Sequence, residues 1–421
     1  MVQFAGKKEH FELRCFGCRT KYPIDDYGKF YQCAECGNLL EIVRLSRYSS
    51  DSGQRRPGVW KYIDLIPLWD EKNIVSLSEG WTNLVECRSL AEFLGLGSLY
   101  VKFEGLNPTG SFKDRGMTVG VSKAVEQGYK STMCASTGNT SASLSAYSSR
   151  AGIKCIVLVP KNKIALGKIA QAIAYGAEIY QVEGNFDDSL RIARELCEKD
   201  NKILLLNSLN PFRIEGQKTV AFEIIEQLGR VPDHVVLPVG NGGNIAATWK
   251  GFKELFEDGV KMLQEHMPRM LAVQAEGSAP VARAFKQRRK DSIDPVLNPH
   301  TEASAINIGS PVSWMKALDS IYDSKGSADY VSDEEIFAAQ KLLASKEGLF
   351  VEPASAAPIA YLIKLAKSGD SDEYEKVRGS TVVSICTGNG LKDPNALLKG
   401  VTPDQLQTIS ADAKSLQKVL A

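Results

Sequence analysis

Apolar runs of five to seven residues alternate along the chain with longer segments that mix apolar and charged positions. The runs predict buried β-strands, and the mixed segments have the spacing of amphipathic helices. The predicted strand and helix pairs are 131–135 with 140–151, 154–160 with 168–176, 178–183 with 187–199, 203–207 with 217–228, and 234–239 with 245–256. Continuous apolar strands that alternate with helices are typical of a parallel sheet covered on both faces. We therefore expect an α/β protein.

The chain length of 421 residues exceeds what one simple core supports, so we expect about two or three domains. Polar residues, glycine and proline crowd the segment 46–58. Such a composition is typical of a linker, and we interpret the segment as one.

Composition and net charge argue against nucleic acid and membranes as binding partners of this protein. The apolar content is 43% and the charged content is 24%, which is ordinary for a globular enzyme. The net charge is +1, so there is no electrostatic basis for binding nucleic acid or a membrane surface. Every apolar run is far shorter than the roughly 20 residues that a membrane helix needs. The N-terminal segment 1–10 lacks the apolar core of a signal peptide, and we expect a cytoplasmic protein.

Four of the nine cysteines form two pairs near the N-terminus, Cys15 with Cys18 and Cys33 with Cys36. Each pair has CxxC spacing, and 14 residues separate the pairs. Two such knuckles supply the four thiolates of a structural zinc site and leave no open position for catalysis. We predict a zinc-ribbon-like element with hairpin character over 22–31. A ribbon without metal and a redox pair are the alternatives.

Lys113 lies in a stretch of turn formers and small hydroxyl residues, 107–116. The predicted strand 98–103 precedes this stretch, and a predicted helix over 117–127 follows it. Burial at such a junction lowers the pKa of an ammonium group and frees the amine as a nucleophile or base. A lysine that forms a Schiff base needs that property. Taken alone, Lys113 is better explained as a surface lysine in a loop.

Three further loops follow predicted strands. The loop 136–141 offers hydroxyls, an amide and the free N–H groups of a helix start, which suit an anion or a cofactor oxygen but also an ordinary helix cap. The loop 240–244 holds three glycines, whose backbone N–H groups can form a nest for a phosphate; a tight turn is the alternative. The loop 386–393 follows the predicted strand 381–385, and the hydroxyl of Thr387 could contact a ring nitrogen of a cofactor; taken alone, the loop is an ordinary turn.

Several common enzyme signatures are missing from the sequence. There is no GxSxG nucleophile elbow and no Walker lysine, and Ile245 stands where a dinucleotide fingerprint has its third glycine. A lysine, a phosphate nest, an amide loop and a hydroxyl loop at strand ends together indicate pyridoxal phosphate. That cofactor supplies the electron sink, while the protein supplies the Schiff base, the phosphate grip and the partner of the ring nitrogen.

Five motifs occur in one order along the chain: 105–117, 135–142, 207–218, 240–244 and 352–355. In these motifs the sequence resembles the threonine synthases, within the tryptophan-synthase-β-like family of pyridoxal-phosphate enzymes. The resemblance extends from about residue 77 to 393. It implies two open, twisted, mainly parallel sheets with helices on both faces. The implied domains are a zinc-ribbon-like segment 1–45, the linker 46–58, a large cofactor domain 59–105 with 205–421, and a small α/β domain 106–204.

The resemblance also implies a role for each site residue. Lys113 would carry the cofactor and move protons, Asn139 would bond its phenolic oxygen, and Thr387 would face its pyridine nitrogen. The cofactor phosphate would be held by Gly240, Asn241, Gly242, Gly243 and Asn244. The substrate would be O-phosphohomoserine, and the protein would be a homodimer. Arg213 is the expected grip for the substrate phosphate, because a guanidinium binds phosphate in a bidentate fork. Similar candidates are Ser136, Thr140, Asn207 and Ser208.

Two alternatives stay open from the sequence. A threonine or serine dehydratase of the same cofactor class has no substrate phosphate to bind, so Arg213 is the residue that separates it from a threonine synthase. A zinc-ribbon binding protein with a vestigial enzyme core is the second alternative. The intact Lys113 and the glycine loop argue against it.

Overall fold

The structure is a computed structural model. It describes residues 7–46, 56–161, 166–200, 202–369 and 371–393, with 396, 408–411, 413, 417 and 419. Most of the predicted linker, 47–55, lies outside the described residues, as does most of the chain beyond 393. In the described part, no helix has both the length and the apolar character needed to span a membrane.

Thirteen strands in the described residues form three sheets. They are β1 (Phe11–Cys15), β2 (Lys21–Tyr22), β3 (Leu40–Arg44), β4 (Leu84–Glu86), β5 (Ser98–Phe103), β6 (Ser131–Ala135), β7 (Lys154–Pro160), β8 (Glu178–Val182), β9 (Ile203–Leu205), β10 (His234–Pro238), β11 (Arg269–Ala275), β12 (Ser327–Val331) and β13 (Thr381–Cys386). The four-stranded sheet has the order β8-β7-β6-β9 and is parallel throughout. The six-stranded sheet has the order β12-β11-β10-β13-β5-β4, and only its edge strand β4 is antiparallel.

Fourteen α-helices accompany these sheets in the described residues. They are α1 (Arg88–Leu94), α2 (Lys113–Glu126), α3 (Asn139–Ala151), α4 (Leu166–Ala174), α5 (Phe186–Lys199), α6 (Pro211–Gln217), α7 (Thr219–Leu228), α8 (Gly243–Glu257), α9 (Lys261–Glu265), α10 (Pro280–Lys286), α11 (Trp314–Asp323), α12 (Asp333–Glu347), α13 (Pro353–Ser368) and α14 (Asp372–Val377). The alternation of parallel strands and helices confirms the α/β prediction.

The predicted elements differ from the structure mainly at helix starts. Helix α2 begins at Lys113 rather than at residue 117. The segment predicted as one helix over 217–228 is the end of α6 followed by α7. Helix α6 starts earlier because Asn210 caps it, with its side-chain oxygen accepting the N–H of Phe212, and because a proline at the first helical position is pre-set for a helix.

The two larger sheets come from different parts of the chain. Residues 131–205 form the four-stranded sheet, whereas 84–103 and 234–386 form the six-stranded sheet. The predicted small domain 106–204 contains nearly all of the first sheet, and the predicted large domain contains all of the second. The domain boundaries themselves stay a prediction.

The N-terminal element is a small antiparallel sheet in which β1 pairs with both β2 and β3. The hairpin predicted over 22–31 is not formed by two strands. That segment contains a 3-10 turn at Ile24–Asp26, and the hairpin is β1 with β2. The core of this element is continuous with that of the four-stranded sheet, because Tyr27 and Tyr31 are buried against later parts of the chain. The Tyr27 ring lies 5.5 Å from the ring of Phe212, and the Tyr31 hydroxyl accepts the N–H of Leu205 at 3.0 Å.

Candidate active site

A cavity of about 860 Å³ opens at the carboxyl ends of the parallel strands of both larger sheets. The loops that follow β5, β6, β10 and β13 contribute to its wall. All thirteen predicted cofactor and substrate residues line it: Lys113, Ser136, Asn139, Thr140, Asn207, Ser208, Arg213, Gly240, Asn241, Gly242, Gly243, Asn244 and Thr387. Crevices at this edge of an α/β sheet are where such folds bind ligands. The roles of the individual residues stay predictions.

Lys113 stands at the first position of α2, beside the loop that carries Thr387. The N–H of Phe112 donates to the carbonyl oxygen of Thr387 at 2.9 Å, which ties the two loops together. The amine lies 4.4 Å from the centre of the Phe112 ring. Burial, reinforced by the nearby charge of Arg213, lowers the pKa of the Lys113 amine to about 7. A substantial fraction of this lysine is therefore a neutral nucleophile near neutral pH.

The glycine loop forms a cradle at the start of α8. Gly242 has a φ of +83°, and a Cβ atom there would lie 2.8 Å from the carbonyl oxygen of Ser313. The carbonyl oxygen of Asn241 accepts the N–H of Ser313 at 2.9 Å, which fixes the loop from behind. Asn244 is buried, and its Nδ2 has no hydrogen-bond partner among the described residues. Helix-start N–H groups and an unpaired amide at one space favour an anion.

Arg213 is a buried cation in the cavity wall. Its side chain is 2% exposed, and its Nε and Nη2 atoms have no hydrogen-bond partner in the part of the chain that the structure describes. Within the described residues, no carboxylate lies at ion-pair distance from its guanidinium. Burial lowers the pKa of Arg213 to about 10. A buried guanidinium without a counter-charge is costly, and an anionic ligand would offset that cost.

Asn207 lines the cavity, but its amide is already engaged. Its Oδ1 accepts the N–H of Ala135, and its Nδ2 donates to the carbonyl oxygen of the same residue, both at 2.9 Å. The side chain therefore anchors the end of β6, immediately before Ser136. In this geometry Asn207 shapes the 136–141 loop, and one lone pair of Oδ1 and one N–H of Nδ2 remain for a ligand.

Glu352 is a site residue for which the sequence predicted no role. It is 4% exposed and lines the cavity. Its two carboxylate oxygens accept from Asn139 Nδ2 at 2.9 Å and from Thr387 Oγ1 at 3.1 Å. Burial raises the pKa of this carboxyl. The available signal was a single acid within the apolar segment 349–360, since a charge in such a segment must be buried with partners.

Lys392 also lines the cavity and was likewise missed. Its Nζ donates to the carbonyl oxygen of Thr109 at 2.9 Å and also bonds the side chain of Gln171. Burial lowers the pKa of this lysine. The residue joins the loop after β13 to the loop before α2.

Comparison with known proteins identifies the family. The sequence matches the model of the pyridoxal-phosphate dependent enzymes over residues 75–388. Threonine synthase from Methanocaldococcus jannaschii is 52% identical over 414 residues, which cover 97% of this chain and 98% of that protein. Threonine synthase from Mycobacterium leprae is 50% identical over 356 residues, which cover 84% of this chain and 94% of that protein. The chain belongs to the threonine synthases.

Solved structures agree with the fold of this family. Maize serine racemase superposes with a TM-score of 0.63 at 21% identity, covering 80% of this chain and 92% of that one. At this level of identity the likeness concerns the fold alone. It confirms the predicted α/β architecture with parallel sheets and helices on both faces.

The residues of the cavity fit pyridoxal phosphate, the cofactor of the family. The glycine cradle ending in the Asn244 amide suits its phosphate, and Lys113 supplies an amine whose lowered pKa allows a covalent bond to its aldehyde. Asn139 and Thr387 reach the same space from opposite sheets. A threonine synthase core is thus assembled from loops of both larger sheets.

The four N-terminal cysteines also come together. Their Sγ atoms all lie within 4.8 Å of one another, with Cys15 and Cys36 3.4 Å apart and Cys18 and Cys33 3.5 Å apart. Four sulfurs bonded at about 2.3 Å to one zinc ion would be roughly 3.8 Å apart, so the cluster fits such an ion. Hydrogen bonds from the backbone and side chain of Asn38 lower the pKa of Cys36 to about 6, whereas burial raises the pKa of Cys15 to about 12, so the metal-free cluster has both a thiolate and a thiol at neutral pH.

Proposed function

We propose that this protein is a threonine synthase that converts O-phospho-L-homoserine and water to L-threonine and phosphate with pyridoxal phosphate. Family membership supports the reaction, and one observation supports the substrate. The cavity is lined by two groups that can bind anions, the glycine loop and Arg213, whose Nε and Nη2 have no hydrogen-bond partner among the described residues. A cofactor phosphate and a substrate phosphate together require both of them.

Lys113 is proposed to hold the cofactor and then to carry protons. With a pKa of about 7, its amine can accept the protons that leave the substrate's Cα and Cβ, and it can return one to Cγ and one to Cα. The phosphate leaves from Cγ with the electron pair of its C–O bond, Cγ becomes the methyl group of threonine, and water adds its oxygen at Cβ. The bound cofactor supplies the electron sink for these proton transfers.

The remaining residues are proposed to bind and orient. The loop of Gly240, Asn241, Gly242, Gly243 and Asn244 grips the cofactor phosphate. Asn139 bonds the phenolic oxygen of the ring, and Thr387 faces its nitrogen. Arg213 forms the fork for the substrate phosphate, because no described residue occupies its Nε and Nη2. Ser136, Thr140 and Ser208 offer hydroxyls in the same cavity, and Asn207 acts by holding Ser136 in place.

Release of phosphate from O-phosphohomoserine is the direct test. We expect purified protein to form threonine and phosphate in equal amounts, and phosphate in solution to compete with the substrate at Arg213. A protein that converts threonine to 2-oxobutanoate and leaves O-phosphohomoserine unchanged would be a dehydratase, and the proposal would be wrong.

We propose that the four-cysteine cluster holds a structural zinc ion. The convergent geometry of Cys15, Cys18, Cys33 and Cys36 supports this, and four protein ligands leave no position for catalysis. Metal analysis of protein purified without chelator should give one zinc per chain, and a variant with Cys18→Ser and Cys36→Ser should give none. The predicted homodimer and cytoplasmic location stay predictions, which light scattering and fractionation would test.

A further inference from the structure

Glu352 connects the two sheets directly across the cavity. Its partner Asn139 follows β6 of the four-stranded sheet, and its partner Thr387 follows β13 of the six-stranded sheet. Both partners belong to the set proposed to contact the cofactor ring. One buried carboxyl group therefore holds two side chains that come from different sheets.

The surrounding backbone holds Glu352 in this position. Its own N–H donates to the carbonyl oxygen of Gly388 at 3.0 Å. A Cβ atom on Gly388 would lie 2.5 Å from the carboxyl carbon of Glu352, so any larger residue there would displace the acid. Ser355, one turn into α13, accepts the N–H of Gly388 at 2.9 Å and lies 2.9 Å from Thr387 Oγ1. Glu352 and Ser355 thus both contact the 387–388 segment, and these contacts fix the carboxyl group beside Thr387.

A proton on Glu352 decides which way the Thr387 hydroxyl points. If the carboxyl is ionised, Thr387 donates its hydrogen to Oε1 and turns a lone pair to the cavity. If the carboxyl is protonated on Oε1, Thr387 accepts from Glu352 and from Ser355, and its own hydrogen is free to point into the cavity. Only the second arrangement donates to an unprotonated ring nitrogen. Asn139 Nδ2 donates to Oε2 in both cases.

We propose that Glu352 is a positioning residue that holds the Asn139 amide in either protonation state and, while protonated, turns the Thr387 hydroxyl toward the cofactor ring. This inference rests on the proposed function, because it requires the ring in this cavity. Burial raises the pKa of the Glu352 carboxyl, in agreement with a protonated form. The charged and titratable groups that face it are Lys113, Lys392 and the thiol of Cys386.

The variant Glu352→Gln mimics the protonated acid, because its carbonyl can accept from Asn139 and its NH₂ can donate to Thr387. We expect it to retain kcat within about threefold. The visible absorbance band of its bound cofactor should lose the pH-dependent change that ionisation of Glu352 causes in the wild type. Glu352→Ala leaves Asn139 and Thr387 without their shared partner, and we expect a loss in kcat/KM of about tenfold to a hundredfold.

A double variant tests whether Glu352 acts through Thr387. In a Thr387→Val background, Glu352→Gln should leave the absorbance band and its pH dependence unchanged, since there is no hydroxyl to turn. Glu375→Gln removes an exposed carboxylate that pairs with Arg378, and as the control it should keep the wild-type band and rate.

Two results would overturn this inference but leave the proposed function standing. In the first, Glu352→Gln is as impaired as Glu352→Ala; in the second, Glu352→Ala has the wild-type rate and spectrum. A wild type with no visible band and no turnover would overturn the proposed function, and this inference with it.

Discussion

Two buried arginines, on helices that pack against each other, have opposite surroundings. Arg115 on α2 bonds Glu104 and Glu223 through four contacts of 2.6–2.7 Å, and Lys102 adds a second cation at 2.7 Å from Glu223. The pKa of Arg115 lies well above the ordinary value because the two carboxylates outweigh the effect of burial. Arg213 on α6 is equally buried, but its pKa falls to about 10 because no carboxylate among the described residues opposes the effect of burial.

The two arginines are equally buried, so burial does not distinguish a structural arginine from a functional one. The presence or absence of a paired carboxylate does. A buried charge network whose members satisfy one another holds the fold together, and breaking it leaves an uncompensated charge. Arg213 is buried and Lys113 is half-buried, and both line a space where a ligand can supply the partner that the described part of the chain does not. Lys102 and Lys113 also differ in pairing, because Lys102 bonds Glu223, although burial lowers the pKa of both amines.

The largest expected effect comes from the two lysines. Lys113→Ala should lower the rate of threonine formation by about a thousandfold or more without lowering the melting temperature of the cofactor-free protein. Lys102→Met should leave the rate of threonine formation nearly unchanged in the folded protein. It should cost about 3–5 kcal/mol of stability, because it removes one partner of a buried pair. Turnover and calorimetry on both variants check this. Equal loss of stability in the two variants would remove the distinction.

Substitution of the two arginines should give the same division, with Arg213 affecting catalysis and Arg115 affecting stability, but with smaller changes. Arg213→Lys keeps a charge but loses the bidentate fork, so KM for O-phosphohomoserine should rise about tenfold to a hundredfold. Arg115→Lys should leave KM nearly unchanged in the protein that still folds, and should lower the free energy of unfolding by about 3 kcal/mol. Steady-state kinetics and urea unfolding are the measurements. An unchanged KM in Arg213→Lys would contradict the proposed substrate grip.

Removal of the proposed zinc ion should have an intermediate effect on both stability and KM. Tyr27 of the N-terminal element packs on Phe212, the neighbour of Arg213, so loosening that element disturbs the substrate grip. Chelation should lower the melting temperature by about 5 °C or more and raise KM a few-fold, with little change in kcat. Adding zinc back should restore both values. A loss of kcat alone would indicate that the metal takes part in the chemistry.

The last expected effect is a pH dependence of the stability of the cofactor-free protein, which belongs to Lys113. In the cofactor-free protein its folded pKa of about 7 lies below the ordinary value of 10.5. The unfolded state therefore binds more protons between these values, and folding becomes more favourable as pH rises through this window. Lys113→Met does not titrate, so the variant should be the more stable form below pH 7, with the difference shrinking toward pH 10. A constant difference would contradict the lowered pKa.

The sequence predicted the strands and the loops that carry the site, because parallel strands end at one edge of a sheet. The loops at 136, 240 and 387 therefore had to meet Lys113 once the α/β pattern was recognised. The pairing of Lys102 and Arg115 with Glu223 could not be predicted, since over 100 positions separate the partners. Glu352 was missed for the same reason. Its role depends on Asn139, which lies 213 positions away in the chain.

The position of Tyr27 and Tyr31 has a consequence for how the chain folds during synthesis. These tyrosines emerge early, but the surfaces that cover them include Leu205 and Phe212. The first element made therefore cannot complete its own core until about 180 further residues have left the ribosome. Until then its aromatic side chains are exposed. We expect a truncated chain that ends before β9 to aggregate, and one that ends after α7 to protect this element from protease.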